Sequence, residues 1–236
     1  MSSTRPLRVG HKGAAALAPG NTPGAFDAAL DAGVDMIEFD VLSERADGNG
    51  RLLVAHDYVD VASRASFTFE QALEHLGQPR FANVQLDVDL KLPGYEMRAL
   101  AALREHGLVE RTLVSGMFPD GLAAMRRAEP ALRVGWSVPR VRRDYASHPV
   151  TAAPAWGVLL AYRRALPARA VAALQAGRCD ALMAHWRVVT APLLERIHDV
   201  GGRLFVWTVD DAQAIRRLTA LGVDGIITND PRLFAD

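Results

Sequence analysis

Eight short apolar segments rich in Val, Ile and Leu recur along the chain, and Ala-rich stretches with helical periodicity lie between most of them. The strand-like segments are 7–10, 35–41, 83–90, 111–116, 132–138, 181–186, 203–209 and 225–229. Helical patterns occupy 22–32, 68–76, 94–106, 119–128, 167–176, 190–200 and 211–221. This alternation points to parallel strands, which need a helix-sized crossover between neighbours. Eight repeats in 236 residues fit an α/β fold of the closed (β/α)8 TIM-barrel kind, which takes roughly 250 residues. An open doubly wound sheet is the rival, but no GxGxxG follows the first strand, whose loop carries His and Lys instead. The turn DGNG (47–50) precedes a short extra strand or extended loop at 50–57. Residues 139–165 read as an extended loop and helix, with the arginines of 140–144 on a solvated helix face. No shift in composition marks a boundary, so one barrel domain over 1–236 is expected.

Half of the residues are hydrophobic and 23% are charged, enough to bury a sizeable core. Lys plus Arg and Asp plus Glu balance at 27 each, so no charge field favours nucleic acid or an anionic membrane surface. A single cysteine, Cys179, excludes an intrachain disulfide and a cysteine zinc site. The first ten residues lack the apolar core of a secretory signal, and no apolar run approaches the ~20 residues of a membrane span. A cytoplasmic protein without a transmembrane segment is expected; its oligomeric state is not legible.

Strand alternation then selects the chemistry. With Ile37, Phe39 and Val41 turned toward the helices, Glu38 and Asp40 face the barrel interior. The next strand repeats the pattern: Leu86, Val88 and Leu90 turn outward, while Asp87, Asp89 and Lys91 turn inward. Four inward carboxylates repel one another at neutral pH unless a cation or hydrogen bonds hold them. An oxygen-rich set of this kind suits Mg²⁺ or Ca²⁺ better than zinc or copper.

His11 ends the first strand and His56 ends LLVAHD, so both can reach one mouth of the barrel. Two imidazoles beside a carboxylate-held metal point to a general acid and a general base, with the order of roles open. The chain writes arginine almost everywhere, yet its two lysines, Lys12 and Lys91, sit beside these groups. A compact ammonium there supplies charge for a phosphate group. His185, at the end of a strand, is a further pocket-lining candidate, and Asp57 reads as a residue that orients a neighbour or caps a loop.

These residues stand in ordered motifs: HKG (11–13), GNT (20–22), EFDV (38–41), HD (56–57), DLK (89–91) and the closing stretch VWTVDD…GVDGIITNDP (206–231). In this order they resemble the glycerophosphodiester phosphodiesterase family over nearly the whole chain. The resemblance implies a (β/α)8 barrel, a divalent cation, and hydrolysis of a small-molecule glycerophosphodiester to sn-glycerol 3-phosphate and an alcohol. It places Glu38, Asp40 and Asp89 on the metal and makes His11 and His56 the acid/base pair. Lys91 would contact the phosphate or a metal-bound oxygen, with Lys12 as a further substrate-binding residue, and Trp207 would pack against the glycerol part of the substrate.

The chain departs from the family pattern at several points. Lys12 stands for the usual Arg, Gly20 for a Glu, Asp89 for a Glu and Asn229 for an Asp. After the HD pair it reaches the next helix in about ten residues, so the usual insertion after strand two is almost absent. Rival readings are an impaired barrel that only binds a phosphate ligand, a phospholipase D-like enzyme forming a cyclic phosphate, and a metal-dependent lyase or aldolase using Lys91.

Overall fold

The computed structural model describes residues 5–63, 67–139 and 152–235, with backbone alone for 152–156. Strand β1 (Leu7–Gly10) pairs in parallel with β2 (Met36–Ser43) on one side and β9 (Gly225–Thr228) on the other. The remaining order runs β9, β8 (Arg203–Trp207), β7 (Ala181–His185), β6 (Arg133–Val138), β5 (Thr112–Gly116), β4 (Gln85–Leu90) and β2. Eight parallel strands therefore close into a barrel. The two-residue β3 (Leu52–Leu53) pairs antiparallel with the overhanging end of β2.

The sequence expectations for strands agree with the structure to within a few residues. Helices α1 (Pro23–Asp31), α3 (Phe69–Leu76), α4 (Glu96–Glu105), α5 (Pro119–Ala128), α7 (Ala191–His198) and α8 (Ala212–Leu221) fall where periodicity places them. The starts of α1, α3, α7 and α8 are fixed by side chains that take up otherwise unpaired backbone N–H groups. Thr22, Thr190 and Asp211 accept from the third residue beyond, and Thr68 forms a reciprocal capping box with Gln71. A short helix, α2 (Tyr58–Ser63), was not expected; Asp57 caps it through the backbone N–H groups of Val59 and Asp60.

The helix expected at 167–176 begins earlier. It runs as α6 (Ala152–Gln175) and carries Pro167 inside it, although proline reads locally as a helix start because it lacks an N–H. The expectations for 140–151, including the arginine cluster at 140–144, lie outside the described residues. No described helix is long and apolar enough to cross a membrane.

The inward–outward division holds. Ile37, Phe39, Val41, Leu86, Val88 and Leu90 pack into the layer between sheet and helices. Val9, Met36, Leu113, Met183, Phe205 and Ile227 fill the interior. Burying each large apolar side chain contributes about 1.5–3 kcal/mol. Among the described residues, the interior turns acidic only on β2 and β4: Glu38, Asp40 and Asp87 are at most 4% exposed.

Candidate active site

The carboxylates lie side by side because of strand register. Glu38 pairs with Asp87 and Asp40 with Asp89, one step up the barrel. Glu38, Asp40 and Asp89 each offer an oxygen within 4.8 Å of the other two. Asp40 Oδ1 is in contact with Lys91 Nζ and has no aligned hydrogen bond. Three converging carboxylate oxygens fit a hard divalent cation.

Strand β1 stops short of this level, since Gly10 pairs with Ile37 and then the chain turns away. The turn is tight: a Cβ on Gly10 would lie 2.1 Å from the Gly13 carbonyl oxygen. Gly13 itself has φ +84°, a conformation that favours glycine. The loop that follows takes over the edge of β2. Gly13 N–H donates to the Glu38 carbonyl at 3.0 Å. Asn21 accepts from Asp40 N–H at 3.1 Å and donates its amide to Asp40 Oδ2 at 2.8 Å. Sequence reasoning quoted Asn21 within GNT but gave it no role. Its φ of +59°, which asparagine tolerates better than most residues, was the available signal.

Both lysines meet Asp40. Lys91 contacts Asp40 and Asp89, while Lys12 Nζ lies 3.5 Å from Asp40 Oδ2. Burial works against ionising Asp40, yet Lys91 and then Lys12 hold it well below the usual carboxylate range. Burial likewise opposes the Lys91 charge, and Asp40, Asp89 and Glu38 outweigh it. Glu38 goes the other way: burial and then the Asp40 charge raise it well above normal. Asp87 is pushed up to about 8 by burial, which Ser115 offsets only in part.

Two departures from the family pattern fit each other in space. A Cβ on Gly20 would lie 3.0 Å from Lys12 Cβ and 3.2 Å from Ala15 Cβ. The bare glycine therefore gives the Lys12 chain its path toward Asp40.

His11 is set by a chain of hydrogen bonds from the far end of the sequence. Asn229 donates its side-chain amide to Asp210 Oδ2 at 2.6 Å, and its backbone N–H to Asp210 Oδ1 at 2.8 Å. Asp210 can only accept when ionised, so Asn229 must turn its oxygen to His11 Nδ1, 2.6 Å away. His11 then carries its proton on Nδ1 and presents a bare Nε2, 3.8 Å from Glu38 Oε2. Burial lowers its pKa, which keeps that ring neutral.

His56 stands at the rim instead, with its side chain about half exposed and Nδ1 3.0 Å from Asp57 Oδ2. Asp57 thus orients a neighbour, as expected, and caps the unexpected helix α2 rather than a loop. Trp207 ends β8 at the same mouth, donating Nε1–H to the Met183 carbonyl at 2.9 Å. It meets His185 edge-on at 5.2 Å. His185 also stacks on Trp186, so β7 and β8 line the mouth with aromatic surface opposite the carboxylates.

Fold and site together define a (β/α)8 barrel whose C-terminal mouth carries a carboxylate cluster, two lysines and two histidines. Models of the glycerophosphoryl diester phosphodiesterase family match residues 11–66 and 203–232, the two stretches that bring His11, Asp40 and His56 together with Trp207 and Asn229. A glycerophosphodiester phosphodiesterase of Caldanaerobacter subterraneus is 26% identical over 95% of this chain and 94% of its own length. An Oleispira antarctica phosphodiesterase, solved in complex with the product sn-glycerol-3-phosphate, shares the fold with a TM-score of 0.68 at 19% identity, covering 97% of this chain and 94% of that one. A glycerophosphodiester phosphodiesterase structure from Parabacteroides distasonis gives 0.69 at 19% identity, covering 95% and 92%. The chain is thus similar to the glycerophosphoryl diester phosphodiesterase family in its two matched stretches, and it shares the barrel fold of the solved structures.

Proposed function

We propose that this protein is a metal-dependent phosphoric diester hydrolase that cleaves glycerophosphodiesters to sn-glycerol 3-phosphate and an alcohol. The observation that carries the reading is the convergence of Glu38, Asp40 and Asp89 within 4.8 Å of one another beneath a histidine of defined tautomer. The family and its named hydrolytic relatives support it. In this reading the three carboxylates hold Mg²⁺ or Ca²⁺, which when bound neutralises phosphate charge as a Lewis acid. Lys91 and Lys12 add fixed positive charge toward the phosphate oxygens. The aromatic face of Trp207 packs against the glycerol part.

The two histidines divide the proton work. Nε2 of His11 is the base, because Asn229 already occupies Nδ1. It takes the proton from the attacking hydroxyl as a new O–P bond forms. His56, held by Asp57 at the open rim, gives its Nε2 proton to the departing alcohol oxygen as the old P–O bond breaks. A rim position suits an acid that must meet leaving groups of different size. The mutual fit of Lys12 and Gly20 favours an adapted site over a decayed one. We take residues 1–236 as one catalytic domain acting in the cytoplasm on lipid-derived small molecules.

The test is turnover after chelator treatment. Mg²⁺, Ca²⁺ or Mn²⁺ is restored in turn with glycerophosphocholine, glycerophosphoethanolamine, lysophosphatidylcholine or an artificial aryl diester. Cation-dependent release of sn-glycerol 3-phosphate, abolished in His11→Ala and His56→Ala, is expected. Release of a cyclic phosphate would make the attacking hydroxyl the substrate's own. Absence of turnover on every diester would sink the reading.

A further inference from the structure

The opposite face of the barrel carries a second concave feature. A cavity of about 330 Å³ opens among the N-terminal ends of β6, β7 and β8 and the loops before β7 and β8. It is separated from the carboxylate cluster by the height of the barrel. Its walls include Leu113, Leu174 and Phe205, and two arginines, Arg133 and Arg203, stand in its lining.

Arginines built only for structure look different on this same molecule. Arg111, near the same face, spends its guanidinium on the backbone carbonyls of Leu76, Phe81 and Val84. Arg126 is paired with Asp180. Arg133 instead gives Nη1 to Gln85 at 2.8 Å and leaves Nε buried without a hydrogen-bond partner among the described residues. With Nη1 taken, the remaining edge is Nε with Nη2, the fork that grips a carboxylate or phosphate through two parallel bonds. The Arg203 side chain has no hydrogen bond or ion pair among the described residues.

Arg133 is disfavoured first by burial and next by the charge of Arg203, which stands exposed beside it. An unfilled buried donor carries a desolvation cost of ~1–3 kcal/mol, and a native fold seldom keeps one without a use. Asp180, the acid on the cavity wall, does not fill the gap. One of its oxygens faces Arg126 and the other accepts the Val134 N–H.

We propose that this cavity is a second binding site, for a small organic anion whose carboxylate or phosphate is gripped by Arg133 and Arg203 and whose apolar part lies against Leu113, Leu174 and Phe205. The volume sits at the small end of ligand pockets, suiting a metabolite-sized occupant rather than a chain. The site does not depend on the proposed activity at the other mouth.

The experiment is calorimetric titration of the 236-residue protein with benzoate, phenyl phosphate and inorganic phosphate. Wild type, Arg133→Lys, Arg133→Gln, Arg203→Gln and Lys91→Ala are compared, each first checked for an intact thermal transition. One equivalent of benzoate or phenyl phosphate is expected to bind wild type and Lys91→Ala alike. Affinity should fall at least about tenfold in Arg133→Lys, which keeps the charge and loses the fork, and further in both Gln variants. Preference between benzoate and phenyl phosphate names the anionic group. The proposal is overturned by absence of binding, by equal affinity in the Arg133 variants, or by binding that Lys91→Ala removes, which would place the anion at the catalytic mouth.

Discussion

Replacing Asn21 removes three things at once, and their sizes can be separated. Its amide donates to the ionised Asp40 at 2.8 Å, a charge-assisted bond of about 1.5–3 kcal/mol. Its oxygen takes the Asp40 N–H at 3.1 Å in a strand with no solvent access, and orphaning that donor costs ~1–3 kcal/mol. Its backbone sits at φ +59°, where an alanine pays roughly 1 kcal/mol. With partial relaxation, Asn21→Ala should lose about 4 kcal/mol, and a chain of this size then melts roughly 12 °C lower.

Two further variants isolate the parts. Asn21→Gly removes both hydrogen bonds without the φ penalty and should recover about 1 kcal/mol relative to Ala. Asn21→Asp can still accept the Asp40 N–H, but it sets a carboxylate against Asp40. In chelator it should be as unstable as Ala, and saturating Ca²⁺ or Mg²⁺ should restore more of its stability than that of any other variant. The assay is urea unfolding with and without cation. A loss below about 1 kcal/mol for Asn21→Ala would show that the strand holds Asp40 without the loop, refuting the argument.

Other perturbations test other links. Asp87 has a folded-state pKa of about 8 against a normal 3.8, so between those values the folded state holds a proton that the unfolded state has released. Stability of the metal-free protein therefore falls as pH rises through that window, and Asp87→Asn should be the more stable by about 4 kcal/mol at pH 7. The gap should widen by about 1.4 kcal/mol per pH unit from pH 5 to 7; unfolding curves with a constant gap would mean that Asp87 is already ionised. Asp210→Ala frees Asn229 to rotate and turn its amide toward His11. kcat should drop on the order of 10²-fold with KM and cation affinity little changed, and an unaltered kcat would remove the Asp210–Asn229 pair from catalysis. Gly20→Ala should lower kcat/KM several-fold by displacing Lys12, yet add nothing further in a Lys12→Ala background; equal effects in both backgrounds would separate the two positions.

What the sequence shows of this molecule is what repeats locally. The inward–outward pattern of EFDV and LDVDLK follows from a two-residue period, so Glu38, Asp40, Asp89 and Lys91 could be placed on one wall before any coordinates. α2 was missed because six residues carry too little periodicity to register; the helix expected within 139–165 and the one at 167–176 prove to be the single α6, whose continuity Pro167 hides. The His11–Asn229 contact spans 218 positions and exists only because β9 closes on β1. Asn21 stays hidden for a related reason. Its task arises only where β1 ends three levels below the top of β2, and no local pattern records that difference in length. The arginine-lined cavity is assembled from starts of strands and the loops before them, which carry no common motif.

The packing outside the barrel divides the molecule in a way that its closed sheet conceals. One outer core is drawn almost wholly from residues up to Val134, the other from Val138 to Ile226, and the small interior cluster is shared by both. His11, Lys12, Glu38, Asp40, His56, Asp89 and Lys91 all belong to the first portion. Asp210 and Asn229, which decide where His11 keeps its proton, belong to the second. On the proposed mechanism the halves of the gene hold separable labours: the earlier one would encode the place where an ion and a phosphate meet, and the later one the readiness of the base. A change at Asp210 or Asn229 alone would then silence the chemistry while leaving the carboxylate cluster intact.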